Sequence, residues 1–377
     1  MPASTPKLFE ATRIKNLHLR NRLVRSATWE GMHTENGCPS ASLRDYYRQL
    51  ARGGVGLLIS GFTYVSADGK PLPGAMSLHH DGCAAEIRAL VAAVHDEGAK
   101  ICVQLGHAGG QTRTETSGIK PLAPSAVAAP QYHPETPREM DWDDIERIIA
   151  AFAAAACRAR EYGFDAVQLH AAHGYLINQF LSPHTNRRSD AYGGSLAHRQ
   201  RFLLEVCART RAALGGDFPL FIKLTGSDHL ADGLSRADAL LVAKALDAQG
   251  VDLIEVSGGT PASGELGPVR RQIDTPEKEA YNLPLARAIK QVVNCPVMVV
   301  GGIRRRETAV EIIQRRDADF IALSRPLIRQ PDLPRRWHDY DGPAETSCIY
   351  CNHCFKAAFK GSLCCMRIKE NNKTSTG

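Results

Sequence analysis

The amino-acid sequence predicts a single (β/α)8 barrel, the TIM-barrel class of α/β folds. Short apolar segments alternate with amphipathic helical segments along most of the 377 residues, which is typical of a parallel sheet covered by helices. Eight such units favour a closed barrel over an open sheet. The turns after the strands also lack the glycine fingerprint of a dinucleotide-binding fold, and the run Val299-Val300-Gly301-Gly302 matches it only weakly.

Each predicted strand is a short run rich in valine, isoleucine or leucine, and a glycine precedes most of these runs. Continuous apolar runs of this length are typical of strands that are buried on both faces. The predicted strands are Arg22–Ser26, Val55–Ser60, Ile101–Leu105, Ala166–His170, Leu220–Thr225, Leu253–Val256, Val297–Val300 and Phe320–Leu323.

The clearest helical pattern begins at Asp141 and ends at Tyr162. Asp141 can cap the free amides of the first turn, apolar residues then recur at spacings of three and four, and Gly163 provides the stop. This apolar face predicts a helix that packs against the sheet. Similar patterns occupy Arg44–Arg52, Ala84–Glu97, Leu196–Leu214, Ala237–Gln249 and Leu283–Val293.

Two segments between the predicted elements, Gly106–Met140 and Gly258–Pro276, are too long to be ordinary loops. In a barrel they would lie over the C-terminal face, where active sites are found. Beyond Trp337 the composition changes and becomes rich in cysteine. We therefore divide the chain into a barrel domain of residues 1–340 and a Cys-rich extension of residues 341–377.

Charge and hydropathy argue against several classes of protein. The 46 basic and 40 acidic residues leave a net charge of +6, which is too small and too diffuse to indicate a nucleic-acid partner. A modest positive charge suits an anionic small molecule such as a phosphorylated cofactor. No apolar stretch reaches the ~20 residues that cross a bilayer, and the first residues do not follow the order of a secretory signal. The expected location is cytoplasmic, with no membrane partner.

The sharpest local signal is the segment QLHAAHGYLINQFLSP at residues 168–183. It places His170 and His173 at the end of a predicted strand and Tyr175 directly after them, so three polar rings converge at the active face. Two other interpretations are open. One histidine could be a core residue and the other a cap, or the two imidazoles could share a zinc ion, although no acidic or cysteine ligand lies close in the sequence.

Segment 168–183 and the following segment NRRSDAYGGS at residues 186–195 resemble the old yellow enzyme family of FMN-dependent ene-reductases. The resemblance runs from about Leu8 to Trp337, nearly the whole predicted barrel. Each matching segment alone is only modestly specific for this family, but all of the segments together are highly specific for it. The other matching pieces are Leu8-Phe9, Asn21-Arg22-Leu23-Val24, QLGHAG at 104–109, Pro124-Ser125, Arg199 with Arg201-Phe202, and SRPLIRQP at 324–331.

The resemblance implies an FMN that lies noncovalently across the mouth of the barrel. Lys223 would stabilise the negative charge that develops near flavin N1 and the C2 carbonyl, and Gln104 would pair with the pyrimidine edge. The 5′-phosphate would bind at the ends of the last two strands, where Arg325 can bind an anion bidentately. The implied cofactor-binding residues are Ser26, Ala27, Thr28, Gly61, Gln104, Lys223, Gly301, Gly302, Ser324 and Arg325.

By the same resemblance, hydride would pass from NAD(P)H to FMN and then to the β-carbon of an α,β-unsaturated carbonyl compound. His170 and His173 would hydrogen-bond the carbonyl oxygen, and Tyr175 would protonate the α-carbon. A phenol with an ordinary pKa of ~10 stays protonated at neutral pH and suits this role. The alternatives are oxidative demethylation of an amine and a non-catalytic flavin redox sensor. The expected small-molecule partner is an activated alkene. The chain is also expected to associate with copies of itself as a homo-oligomer.

Three positions depart from the family pattern. Trp29 stands where many relatives carry a small cysteine or threonine near the flavin O4 edge, and Gly31 stands where some carry a tyrosine. Lys223 replaces the arginine that is common at its position, which keeps the charge but loses the planar guanidinium. Flavin potential and substrate fit depend on these positions.

Five of the 11 cysteines fall between Cys348 and Cys365, whereas the other six are scattered singly. In a reducing compartment such a cluster binds metal more often than it forms disulfides. The cluster resembles the iron-sulfur ligands of the subgroup that contains 2,4-dienoyl-CoA reductase and trimethylamine dehydrogenase. This implies a [4Fe-4S] cluster on Cys348, Cys351, Cys354 and Cys365, with Cys364 nearly as suitable as the fourth ligand. Zinc, or thiols without metal, are the alternatives.

Overall fold

The computed structural model describes residues 6–128 and 135–368, and its centre is a closed barrel of eight parallel strands. Each strand pairs with the next, and the eighth pairs with the first. A further short strand, Met76–Ser77, extends the sheet beside the second. The predicted (β/α)8 fold is confirmed. The barrel strands are β1 (Leu23–Arg25), β2 (Leu57–Tyr64), β3 (Lys100–Gly106), β4 (Ala166–Ala171), β5 (Leu220–Thr225), β6 (Leu253–Ser257), β7 (Val297–Val300) and β8 (Phe320–Leu323).

Helices cover the outside of the barrel. The longest begins after Asp141, whose side chain accepts the Asp144 N–H in a capping box, as the sequence predicts. The main helices are α1 (Ala41–Arg52), α2 (Ala84–His95), α3 (Trp142–Glu161), α4 (Arg201–Leu214), α5 (Arg236–Ala248), α6 (Leu283–Lys290), α7 (Arg306–Gln314) and α8 (Leu333–Asp339). Shorter helices are Thr114–Ser117, Leu176–Leu181, Leu196–Arg199, Arg325–Arg329 and His353–Ala358. Within the described parts of the chain, no helix has the length and apolar character to cross a membrane.

Two helix predictions need correction. The predicted helix Leu196–Leu214 is two helices that meet at Gln200. Just before this break the Arg199 side chain turns inward, where its Nε donates to the Leu181 carbonyl at 2.9 Å. Helices α7 and α8 were not predicted, and the apolar stripe of α7 is narrow, with arginines on both sides.

The barrel interior has an apolar lower layer and a polar upper layer. Successive residues of a strand point to opposite faces, so β5 directs Phe221 and then Lys223 inward, and β6 directs Leu253 and then Glu255. A hairpin of Thr12–Ile14 and Leu17–Leu19 packs on the apolar layer and closes that end. The carboxyl ends of the strands therefore form a polar mouth. The apolar layer consists of Val24, Leu57, Ile59, Cys102, Ala166, Phe221, Leu253, Met298, Phe320 and Ala322.

The two long segments carry short elements of their own. Segment 106–140 contains the helix Thr114–Ser117 and the paired strands Leu122–Ala123 and Arg138–Glu139, and its residues 129–134 lie outside the described part. Segment 258–276 contains the turn Pro261–Leu266. Both segments follow barrel strands, so they leave the barrel at its mouth as the sequence predicts.

A disulfide joins Cys38 to Cys83, which are 45 residues apart in the sequence. Their Cα atoms are 4.9 Å apart, within the range that a disulfide spans. The bond connects the segment after β1 to the residue before α2. The sequence does not indicate this pairing, because the two segments meet only in the folded chain.

The described part of the extension packs against the barrel mouth. Tyr350 donates its hydroxyl to the Ile303 carbonyl at 2.8 Å, and the rings of Trp29 and Phe359 meet edge to face at 4.8 Å. A side chain at Gly31 would collide with the Ala358 carbonyl. The family departures at Trp29 and Gly31 thus have a structural reason, since both positions contact the extension. The division at residues 340 and 341 stays a prediction.

Candidate active site

A chain of hydrogen bonds crosses the polar mouth of the barrel. Gln104 donates through Nε2 to Gln168 Oε1 at 2.8 Å, and Gln168 Nε2 donates to Glu255 Oε2 at 2.8 Å. The other oxygen of Glu255 accepts from Ser26 Oγ at 2.6 Å and from Lys223 Nζ at 3.0 Å. None of these five residues is more than 3% exposed. The network therefore holds its members in one fixed arrangement.

Glu255 is a site residue that the sequence motifs did not reveal. It forms a buried ion pair with Lys223, the cation expected beside the flavin, and the two residues are in register on neighbouring strands. A buried charge without a partner is costly, and Glu255 provides the counter-charge of Lys223 inside the barrel. The sequence does offer one signal for Glu255, because it is the single acidic residue within the apolar run of β6, and acidic residues are seldom fully buried unless they are paired.

Three polar rings converge beside this network, as the sequence predicts. The His170 ring lies 5.1 Å from that of His173 and 4.9 Å from that of Tyr175, measured between centroids. Phe62 contacts Tyr175 at 4.7 Å and closes one side of the cluster. His173 Nε2 bonds to Ser257 Oγ at 2.7 Å, whereas the buried Nδ1 of His170 has no partner among the described residues. The cluster has capacity left to bind a polar ligand atom.

Burial lowers the pKa of both imidazoles well below the usual value of 6.5. His173 and Lys223 add to the effect at His170, and Lys223 adds to it at His173. Both rings are consequently neutral at physiological pH. A neutral imidazole donates one hydrogen bond, which is what a carbonyl oxygen requires.

The backbone at His173 and Gly174, directly before Tyr175, forms a tight left-handed turn. His173 has φ 64° and Gly174 has φ 74°, and residues other than glycine seldom adopt such values. Three amide side chains hold the turn. Gln111 Nε2 donates to the His173 carbonyl at 2.9 Å, Asn178 Oδ1 accepts the Gly174 N–H at 2.5 Å, and Gln179 Nε2 donates to the Gly174 carbonyl at 2.6 Å. Asn178 and Gln179 lie within the predicted motif, whereas nothing in the sequence marks Gln111.

Glycines lie at the predicted phosphate end of the site. Gly301 has φ 127° and Gly302 has φ 72°, and a side chain at either position would come within 2.8 Å of the Tyr281 ring. Thr28 Oγ1 and Ser324 Oγ are 2.7 Å apart, which joins the ends of β1 and β8. Left-handed glycines of this kind can direct backbone N–H groups toward an anion.

Two predicted flavin-lining residues have other contacts in this structure. Gly61 donates its N–H to the Tyr47 hydroxyl at 3.0 Å, and a side chain there would collide with Glu30. Packing against Glu30 is thus sufficient to explain this glycine. Ala27 is half-buried and packs on the apolar layer below the mouth.

Arg325 is held by both the barrel and the extension. Its NH1 donates to the Arg270 carbonyl and to Asn352 Oδ1, each at 2.6 Å, and its guanidinium stacks on the Tyr350 ring at 4.3 Å. The side chain is not matched with a carboxylate in these contacts. The extension therefore fixes the cation that was predicted to bind the phosphate.

Residues 7–340 match the family described as NADH:flavin oxidoreductase / NADH oxidase. The chain belongs to this family. The family uses FMN and NAD(P)H, and the residues at this mouth fit FMN, because they offer a buried cation, left-handed glycines, a fixed guanidinium and the unpartnered His170 Nδ1.

Similar proteins include enzymes of the same length and enzymes that are longer. The chain is 40% identical over 351 residues to NADH oxidase of Thermoanaerobacter brockii, covering 92% of this chain and 53% of the relative. It is 38% identical over 330 residues to NADPH dehydrogenase of a Geobacillus species, covering 87% and 92%. The solved complex of 2-naphthoyl-CoA reductase with 2-naphthoyl-CoA superposes with a TM-score of 0.88 at 29% identity, over 96% of this chain and 56% of that one. The chain thus spans about half the length of some relatives.

The cysteine cluster of the extension lies at the mouth beside Arg325. Burial raises the pKa of Cys354 to about 11, and it also raises that of Cys348. Arg329 NH1 donates to Cys365 Sγ at 3.5 Å. Within residues 6–128 and 135–368, no group of three or more His, Cys, Asp or Glu side chains has an arrangement that could hold a metal. Four thiols suit an iron-sulfur cluster chemically, but the arrangement in this structure does not assemble one.

The buried histidines predict a dependence of stability on pH. The folded protein keeps His170 neutral, whereas the unfolded chain protonates it near pH 6.5, so the unfolded state binds more protons below that pH. We expect the free energy of unfolding to fall by up to about 1.4 kcal/mol per pH unit from His170 alone as the pH drops below ~6.5. Urea unfolding at a series of pH values measures this slope. It should become shallower in His170→Gln but not in the exposed control His18→Gln, and equal slopes in all three proteins would contradict the prediction.

A second prediction concerns the turn at His173. Gln111→Glu removes the donor to the His173 carbonyl, and we expect it to weaken the binding of a phenol to the oxidised flavoprotein about tenfold, because one hydrogen bond contributes ~1 kcal/mol or somewhat more. FMN affinity should stay the same. The titration follows the flavin absorbance, with the exposed Gln291→Glu as the control. Unchanged phenol affinity would mean that the turn keeps its shape without Gln111.

Proposed function

We propose that this chain binds FMN noncovalently, oxidises NAD(P)H, and reduces the carbon-carbon double bond of an α,β-unsaturated carbonyl compound. The supporting observation is the cluster of His170, His173 and Tyr175, in which the buried His170 Nδ1 has no partner among the described residues. Two neutral imidazoles and a phenol supply the hydrogen-bond donors and the proton that this reduction needs.

FMN, when bound, supplies the hydride chemistry. His170 and His173 bind the carbonyl oxygen of the alkene and draw electron density away from the conjugated bond, which makes the β-carbon electrophilic. Tyr175 holds its phenolic proton until the α-carbon accepts it. Lys223 presents a positive charge at the end of β5, and Glu255 keeps that cation in place at 3.0 Å.

Separate measurement of the two half-reactions tests this function. The purified protein should be yellow and should release about one FMN per chain on denaturation. Anaerobic NADH or NADPH should bleach the flavin, and 2-cyclohexenone should restore the oxidised spectrum. A protein without flavin would contradict the proposal. A flavin that NAD(P)H reduces but the enone does not reoxidise would favour the redox sensor, and reduction by trimethylamine would favour the demethylase.

We also propose an iron-sulfur centre in the extension, supported by the spacing of Cys348, Cys351, Cys354 and Cys365 alone. Anaerobically purified protein from iron-replete cells should contain about four irons and four sulfides per chain, as a cubane requires. Cys351→Ser should lose them, whereas Cys157→Ser, at an exposed free cysteine, should keep them. Wild-type protein with FMN and without iron would contradict the cluster and leave the flavin function intact.

A further inference from the structure

Arg270 is a partly buried cation at the barrel mouth, and no carboxylate of the described residues pairs with it. It lies in the loop between β6 and α6, and its guanidinium stacks on the Tyr281 ring at 4.4 Å. Its NH2 lies 3.3 Å from His229 Nε2, and its buried Nε has no partner among the described residues. Burial lowers its pKa, and among the described residues no carboxylate opposes that effect. Stacking on Tyr281 supports the side chain but neither pairs Nε nor balances the charge.

Asn282 lies close to this cation and also has an unused polar atom. It is 1% exposed, and its Nδ2 donates to the Val300 carbonyl at 2.8 Å, whereas its Oδ1 accepts nothing from the described residues. Both Asn282 Oδ1 and His229 Nε2 lie within 3.3 Å of the point where a side chain at Gly258 would begin. An unpaired acceptor, Asn282 Oδ1, and the imidazole that contacts Arg270 therefore face one small region that glycine keeps open.

The same region adjoins the predicted phosphate end of the flavin site. The ring of Tyr281, on which Arg270 stacks, lies against Gly301 and Gly302. The Arg270 carbonyl accepts a hydrogen bond from Arg325 at 2.6 Å, so the loop that carries one arginine also positions the other. Two guanidinium groups near left-handed glycines favour an anion with several oxygen atoms.

We propose that Arg270, His229 and Asn282 form a binding site for a sugar phosphate. Arg270 binds the phosphate, His229 accepts a hydrogen bond from Arg270 and orients it, and Asn282 Oδ1 accepts a hydrogen bond from a sugar hydroxyl. Two ligands of the proposed reaction carry a sugar phosphate: FMN has a ribityl phosphate, and NAD(P)H has ribose phosphates. The inference rests on the proposed flavin function and adds three residues to which the sequence motifs assign no role.

The first experiment compares FMN with riboflavin, which lacks the phosphate. FMN is removed reversibly from the holoprotein, and both flavins are titrated back by fluorescence quenching. In Arg270→Gln we expect the Kd for FMN to rise about tenfold and that for riboflavin to change less than about twofold, as the loss of one charge-assisted hydrogen bond predicts. The Kd of Arg270→Lys for FMN should lie between those of the wild type and of Arg270→Gln. Arg271→Gln removes an exposed charge from the same loop and should change neither value.

The second experiment tests whether the phosphate that Arg270 binds belongs to NAD(P)H and not to FMN. If Arg270 binds NAD(P)H, the FMN-to-riboflavin preference of Arg270→Gln should equal that of the wild type, and the second-order rate constant for flavin reduction should fall about tenfold with NADH or NADPH. No change in either experiment would overturn the inference. Failure of the proposed function is distinguishable, because the wild-type protein would then bind neither flavin.

Discussion

Tyr175→Phe should slow the oxidation of reduced flavin by 2-cyclohexenone by about 10²- to 10⁴-fold, the usual contribution of a positioned general acid. Reduction of the flavin by NAD(P)H should proceed at nearly the wild-type rate, because that half-reaction puts no proton on carbon. Stopped-flow absorbance at the flavin band measures both rates. Tyr175 lies 4.9 Å from the His170 ring, so the donor is next to the groups that would hold the carbonyl oxygen.

A matched tyrosine separates catalysis from folding. Tyr162 donates its hydroxyl to Asp81 at 2.7 Å on the outside of the barrel, so Tyr162→Phe removes the same atom without touching the mouth. This control should leave both half-reactions unchanged. An equal loss in both half-reactions for Tyr175→Phe would mean that Tyr175 shapes the flavin site and does not act as the proton donor.

Glu255→Gln should lower the free energy of unfolding of the flavin-free protein by about 3–5 kcal/mol, because it leaves Lys223 charged and unpaired in the barrel. The side chains of Lys223 and Glu255 are 4% and 0% exposed, so water cannot replace the lost carboxylate. Urea unfolding followed by circular dichroism measures the change. The surface pair of Arg209 and Glu146 provides the comparison, and Glu146→Gln should cost less than about 1 kcal/mol.

A double variant checks the cause of this loss. Lys223→Met combined with Glu255→Gln removes both charges and keeps an amide oxygen at position 255 that can accept from Ser26 or Gln168, so it should be more stable than Glu255→Gln alone. The double variant should also bind FMN more weakly than the wild type, because the cation at the mouth is gone. If the double variant were no more stable than the single variant, packing rather than charge would explain the effect of Glu255.

Local patterns were sufficient to predict most of the barrel. The strands β5, β7 and β8 have the predicted bounds, because each is a continuous apolar run with clear turn residues beside it. Strand β2 continues to Tyr64, four residues beyond the predicted end, since the sheet passes a bulge between Ile59 and Phe62. Gly61 at that bulge resembles a strand end when only the sequence is considered.

The cluster of His170, His173 and Tyr175 was also determined by the sequence alone. The three residues lie within six positions of one strand end, so the strand and the turn after it suffice to bring their rings together. The position of Lys223 at the flavin was implied by the family resemblance, and the alternation of side chains along β5 explains why it points inward.

The tertiary structure alone decided which partners these residues have. Lys223 and Glu255 are 32 positions apart, Gln111 and His173 are 62 apart, and Arg270 and His229 are 41 apart. The extension reaches Trp29 through Phe359, and Cys38 meets Cys83. Local propensity acts over a few neighbouring residues, whereas these contacts arise from the closure of the barrel, which brings the ends of eight separated strands and their loops around one mouth.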